Sequence, residues 1–127
     1  MYDYKARLVR VIDGDTVELA VDLGFHVTVT DHFRLQGINT PELHSTNPAE
    51  RLAAQAAKAA LLAILTEKPQ GAEPILYVKT DKAEGDKYGR WLVQIFVNAK
   101  PVSANDQMIA EGFAKPYYGG KKTPFEG

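Results

Sequence analysis

The sequence predicts a mainly β domain with added helices, an α+β barrel of about five strands, and three observations carry that reading. β-rich runs dominate both the first third of the 127 residues and the stretch from 75 to 97. One Ala-rich segment of helical character separates them, and a shorter helix signal follows the last strand run. Five strands with a helix between the third and the fourth is the pattern of an OB-type barrel closed off by two to three packed helices.

Each element has a local cause. Residues 5–12 and 16–23 are rich in Val, Leu and Ile, and Asp13-Gly14-Asp15 between them is a turn signal. Residues 26–30 alternate polar with β-branched side chains and continue through Phe33-Arg34-Leu35, which completes an antiparallel meander. After Asn47 the period changes. Pro48 suits the first helical position, Glu50 stands three residues past Asn47 as in a capping box, and Ala-rich sequence runs to about Leu65. Leu61, Leu62, Ile64 and Leu65 cluster in the second half, so that end is expected to be pinned to a core. Residues 75–79 and 91–97 read as strands joined by a charged loop, 80–90, with Asn98-Ala99-Lys100 as a turn. Trp91 and Phe96 are expected in the core. Ser103, with Asp106 three residues on, opens a short helix that ends near Gly112. Residues 113–127 read as an irregular tail, flexible from about residue 119.

Composition bounds the function. With 45% apolar and 24% charged residues, the chain is expected to form a single domain over residues 1–127, acting as a monomer. It has no cysteine, which excludes thiol catalysis, cysteine-ligated zinc and a disulfide framework. No apolar run is long enough for a membrane span, and Met1-Tyr2-Asp3-Tyr4-Lys5 lacks a signal-peptide pattern, so the expected location is cytoplasmic, with no membrane partner. The formal net charge is −1, yet the charges are unevenly spread. Residues 1–42 carry four basic and seven acidic side chains, whereas residues 113–127 carry three basic and one acidic. An acidic surplus gathered in a metal site is compatible with an anionic substrate, because the cation reverses the local sign.

Two acidic turns invite that reading: Asp13-Gly14-Asp15-Thr16 and Asn39-Thr40-Pro41-Glu42. Either alone is an ordinary turn, and the first is no EF-hand, since Glu18 and Gly24 stand where that loop needs Gly and Glu. Two arginines change the weight. Arg34 interrupts an apolar strand pattern, and Arg90 stands at the mouth of another strand. Carboxylates, a hard-cation site and two guanidinium forks are the parts needed to cleave a phosphodiester, where negative charge builds on phosphoryl oxygens as water attacks. Calcium or magnesium would take the Asp15 carboxylate and oxygens of Asn39 and Thr40, and Glu42 would activate water.

The segments 11–17, 33–42, 86–90 and 109–115, in this order, resemble the successive signatures of the staphylococcal nuclease (thermonuclease-like) family, and the resemblance spans about residues 5–118. It implies an OB-fold barrel and a calcium-dependent endonuclease of DNA and RNA, with single strands the expected substrate. In that family the position matching Asp15 is a metal-ligating carboxylate, and that matching Thr40 offers its backbone carbonyl. Arg34 and Arg90 match the two phosphate-binding catalytic arginines, and Glu42 matches the proposed general base. Lys87 and Tyr88 match positions near the bound phosphate. Tyr117 or Tyr118 matches a tyrosine that flanks the base. Asn39 departs from the pattern, standing where the family's best-studied members have a second metal-binding Asp, and weaker calcium binding is expected.

Two other readings stay open: a nuclease-like module that binds single strands without cutting them, and a small oligosaccharide or peptide binder on the same frame. His26, His32 and His44 lack zinc spacing, and Gly119-Gly120-Lys121-Lys122 lacks the residues of a phosphate loop.

Overall fold

A computed structural model of the chain describes residues 2–68, 71–82 and 89–117. Among the described residues, seven strands and two helices follow in the order β1 (Tyr2–Asp13), β2 (Thr16–Gly24), β3 (Val27–Leu35), β4 (Ile38–Asn39), α1 (Pro48–Leu65), β5 (Leu76–Lys82), β6 (Trp91–Val97), α2 (Ala104–Ala110) and β7 (Lys115–Pro116). Five of the strands close a barrel in the order β1-β2-β3-β6-β5, and β4 pairs with β7 in a separate small ladder. The expected barrel and the meander β1-β2-β3 are present, while β3 meets β6 in parallel, Phe33 to Leu35 facing Trp91 to Val93. Register shifts in β1 after Leu8 and after Val11 bend it, which lets one strand serve both β2 and β5.

Strand alternation decides the core. Val17, Leu19 and Val21 of β2, Leu76 and Val78 of β5, and Val93, Ile95 and Val97 of β6 point inward and are buried. Helix α1 adds Leu61, Ile64 and Leu65, the i, i+3, i+4 stripe of its second half. Leu62, expected with them, is 47% exposed because it lies about 100° round the helix from Leu61. Trp91 and Phe96 are likewise not core residues. Trp91 is the first residue of β6, at the barrel rim and 42% exposed, and Phe96 has the opposite parity to Val97 and stands half-buried on the outer face.

The helix signals have physical partners. Asn47 Oδ1 accepts from the N–H groups of Ala49 and Glu50 at 2.9 and 3.4 Å. The Glu50 carboxylate does not reach back to the Asn47 N–H as a capping box requires. It accepts instead from the Ser45 hydroxyl, and from the Glu42 N–H at 3.5 Å, which fastens the 42–47 loop to the start of α1. Ser103 caps α2, accepting from the Asp106 N–H at 3.1 Å, and Gly112 beyond its end takes φ +82°.

Three expectations change. His26 belongs to the turn between β2 and β3, at φ 63°, and β3 begins at Val27. The charged loop 80–90 starts later, since Thr80, Asp81 and Lys82 pair with Val93, Leu92 and Trp91. The segment read as an irregular tail contains a strand, because Lys115 and Pro116 pair with Asn39 and Ile38. The tail beyond residue 117 lies outside the described residues. No described helix is long and apolar enough to cross a membrane.

Candidate active site

The two acidic turns come together because the residue between the aspartates is glycine. A Cβ on Gly14 would lie 2.9 Å from the Ala57 Cβ and from the Thr40 Oγ1, so only a bare backbone lets the β1–β2 turn press against α1 and Thr40. The approach puts the buried Asp15 beside Thr40, the residue that follows Asn39 at the end of β4. The Thr40 N–H donates to Asp15 Oδ2 at 3.4 Å, and the Thr16 hydroxyl donates to Asp15 Oδ1 at 3.1 Å.

Both arginines converge on this pair. Arg34 projects from the end of β3, where its neighbours Phe33 and Leu35 face the core. Its Nη2 donates to the Ile38 carbonyl at 2.9 Å and stands 3.9 Å from Asp15 Oδ2. The Tyr117 ring lies 4.8 Å from the guanidinium carbon, brought there by the β4–β7 ladder and by the Tyr117 N–H bond to the Gly37 carbonyl at 2.8 Å. Arg90 arrives from the other side of the chain, and its Nη1 donates to Thr16 Oγ1 at 3.1 Å. Asp15, Arg34, Asn39, Thr40 and Arg90 therefore form one cluster, with Tyr117 beneath Arg34. Glu42 is exposed at the mouth of the following loop, three residues past Asn39. Lys87, Tyr88 and Tyr118 lie outside the described residues.

Two further residues belong here that their sequence positions did not single out. Asp13, at the other end of the same turn, accepts the Asp15 N–H at 3.1 Å. Burial first, and then a shared hydrogen bond and charge repulsion with Asp15, push its carboxyl up from the ordinary 3.8 to about 7. Thr16 joins Arg90 to Asp15 through its hydroxyl. The sequence holds both within Asp13-Gly14-Asp15-Thr16, yet it cannot tell a turn-forming side chain from one that faces a distant arginine. Asp13, Thr16 and Arg90, with Arg10 and His32, line a groove of about 310 Å³ on the outer face of the barrel.

Oxygen donors dominate. Among the described residues no group of three or more His, Cys, Asp or Glu is placed to hold a metal ion, and the local carboxylates are the Asp13–Asp15 pair. Asn39 Oδ1, however, is buried and has no hydrogen-bond partner among the described residues. A buried acceptor left without a donor is costly, roughly 1–3 kcal/mol, and an amide oxygen beside a carboxylate suits a hard cation.

A family model described as staphylococcal nuclease homologue matches residues 32–126, which takes in Arg34, Asn39, Thr40, Glu42 and Arg90 and begins after the turn that carries Asp15. The chain is also similar to an uncharacterized protein of Methanocaldococcus jannaschii, 29% identical over 128 residues, covering 90% of this chain and 59% of the relative. The chain thus spans somewhat more than half the length of that relative.

Proposed function

This chain belongs to the staphylococcal nuclease homologue family, and on that footing we propose that it is a calcium-dependent endonuclease that hydrolyses phosphodiester bonds in DNA or RNA, with single strands as its preferred substrate. The single observation that carries the reading is the convergence of two arginines, 56 positions apart in the chain, on one buried carboxylate through Arg34–Asp15 and Arg90–Thr16–Asp15.

Asp15, the unpartnered Asn39 Oδ1 and the backbone of Thr40 would hold the cation, and Asp13 stands within the same turn. When bound, calcium supplies positive charge to the non-bridging phosphoryl oxygens and lowers the cost of the charge that develops there. The chain's own groups do the rest. Arg34 and Arg90 present planar forks of N–H donors to the phosphoryl oxygens as water attacks phosphorus. Two backbone carbonyls, of Ile38 and Leu35, and the face of Tyr117 hold the Arg34 fork in advance, so little freedom is lost when the phosphate arrives. The Glu42 carboxylate accepts the proton of the attacking water, and the P–O bond opposite that water breaks. The Glu50 bond to the Glu42 N–H restrains the loop that carries this base.

Incubation of the protein with heat-denatured DNA, with calcium and with chelator, beside an Arg34→Ala variant, tests the proposal. Cleavage is expected with calcium alone, reduced at least a hundred-fold in Arg34→Ala. Binding without cleavage under every metal condition would favour a strand-binding module, and metal-dependent cleavage that survived Arg34→Ala would place the chemistry elsewhere.

A further inference from the structure

The outer face of β1, β5 and β6 carries a second arrangement that the cluster around Asp15 does not use. Outward positions alternate with the buried Leu76, Val78, Ile95 and Val97, and the ladders set them in rows. One row crosses the strands as Lys5, Tyr77 and Phe96. The next is Asp3, Lys79 and Gln94. The two rings are half-buried cross-strand neighbours, and a lysine ammonium stands over each, Lys5 at 6.0 Å from the Tyr77 ring centre and Lys79 at 5.9 Å from that of Phe96. Between them lies an open groove of about 360 Å³. One carboxylate lines it, Asp3 opposite Lys79, while Asp22, opposite Lys5 and with Oδ1 held by the Gly24 N–H at 2.8 Å, stands outside it. Within the groove itself two lysines stand against one carboxylate.

Position connects this face to the cluster. Arg34 pairs with Leu92, which has the same outward parity on β6 as Gln94 and Phe96. From Leu92 to Phe96 is four residues, about 13 Å along the strand. The outer surface thus runs from Arg34 past Leu92, with Asp81 beside it on β5, and past Gln94 and Lys79 to the paired rings and Lys5.

We propose that the Lys5–Tyr77–Lys79–Phe96 face is a second contact site for single-stranded nucleic acid, holding the strand several nucleotides away from the bond being cut. The inference rests on the nucleic-acid reading above. A nucleotide offers a flat base and a phosphate in one unit, which matches a surface of rings with a lysine above each. The base takes the ring face that the ammonium covers, and the ammonium turns to the phosphate. Both exchanges keep every charge solvated or paired, and stacking of this kind accepts any base. Lys5 and Lys79 are diagonal neighbours about 7–8 Å apart, a separation that lets each meet a different phosphate of an extended strand. An acidic peptide would satisfy the lysines and leave the two rings without a partner.

The test measures binding of a labelled oligodeoxythymidylate of about twelve nucleotides, a length that covers the face and the cluster together, in chelator and over a range of salt. Lys5→Gln/Lys79→Gln, at exposed positions, is expected to weaken binding about ten-fold and to reduce the log–log salt slope by about 1.4, the share of two phosphate contacts on a single strand. Phe96→Leu is expected to weaken it about five-fold with the slope unchanged, and cleavage of a dinucleotide substrate is expected to be the same in all three proteins. Equal binding and slope in wild type and Lys5→Gln/Lys79→Gln would overturn the second site while leaving the nuclease reading intact. An equal loss in Lys58→Gln/Lys68→Gln, exposed lysines on α1 and just beyond its end and outside this groove, or equal competition by an acidic peptide, would overturn it too. A wild-type protein that neither binds nor cuts the oligonucleotide would remove both readings together.

Discussion

Arg90 Nη1 donates to the Thr16 hydroxyl at 3.1 Å, joining residues 74 positions apart, and that hydroxyl donates in turn to Asp15. Arg90, the second arginine proposed to bind phosphate, is therefore aimed by the same turn that carries the proposed metal ligand. Thr16→Val keeps the shape and the β-branch and removes the link. Cleavage is expected to fall about ten-fold, equivalent to about 1.4 kcal/mol of transition-state stabilisation, while Thr16→Ser retains most of it. Single-turnover rates on a short oligonucleotide check this, and an unchanged rate in Thr16→Val would mean that Arg90 is oriented by other contacts.

Asp13 gives the fold a dependence on pH. Its carboxyl is raised from 3.8 to about 7 by burial and by Asp15, so between those values the folded chain holds one more proton than the unfolded chain. Stability therefore falls as pH rises through this window and levels off above about 7. Without calcium, the melting temperature is expected to drop by several degrees from about pH 5 to about pH 8, the order of a 1–2 kcal/mol loss in a domain of this size. Asp13→Asn should flatten the profile, as should calcium, whose charge offsets the ionised pair. A wild-type profile that rises with pH over this range would contradict the assignment.

Asn39 Oδ1 is buried without a hydrogen-bond partner among the described residues. Replacing the amide by a carboxylate in Asn39→Asp adds a full charge to an oxygen donor set, and calcium affinity follows ligand charge. Titration calorimetry is expected to show at least ten-fold tighter calcium binding. The same variant should melt lower than wild type in chelator, since a third carboxylate then joins Asp13 and Asp15 with no bound cation to offset its charge. No change in affinity would take Asn39 out of the coordination shell.

Asn105 is a structural counterpart on α2. Its Nδ2 donates to the carbonyls of Gln36 and Val93 at 2.8 and 2.9 Å, and its Oδ1 accepts from the Ile95 N–H at 3.1 Å. One buried amide thus ties α2 to β6 and to the turn that follows Arg34. Asn105→Ala leaves buried backbone groups unpaired and is expected to cost about 2–4 kcal/mol, read as a lower urea midpoint with an unchanged slope. It should also lower cleavage, because the turn it braces leads into Ile38, whose carbonyl holds Arg34.

Much of this molecule could be read along the chain. β-rich composition marked the five barrel strands, with alternation visible in the third, and Asn47-Pro48 and Ser103 marked where the helices begin, because strand preference, caps and turn residues act between neighbours in sequence. Arg34, Glu42, Arg90, Asp15, Asn39 and Thr40 were legible as candidates for the same reason: each stands in a short segment whose residue types suit phosphodiester chemistry. What those segments do to one another was decided by tertiary structure. Barrel closure brings Arg90 to Thr16, the bare backbone at Gly14 admits Thr40 to Asp15, and the β4–β7 ladder slides Tyr117 under Arg34. The same closure puts Trp91 at the rim and turns Phe96 outward beside Tyr77, where local alternation alone could not say which parity faces the core. The raised Asp13 carboxyl joins the two levels: its neighbour Asp15 stands two residues on in the same turn, whereas the burial that contributes most to the shift comes from packing.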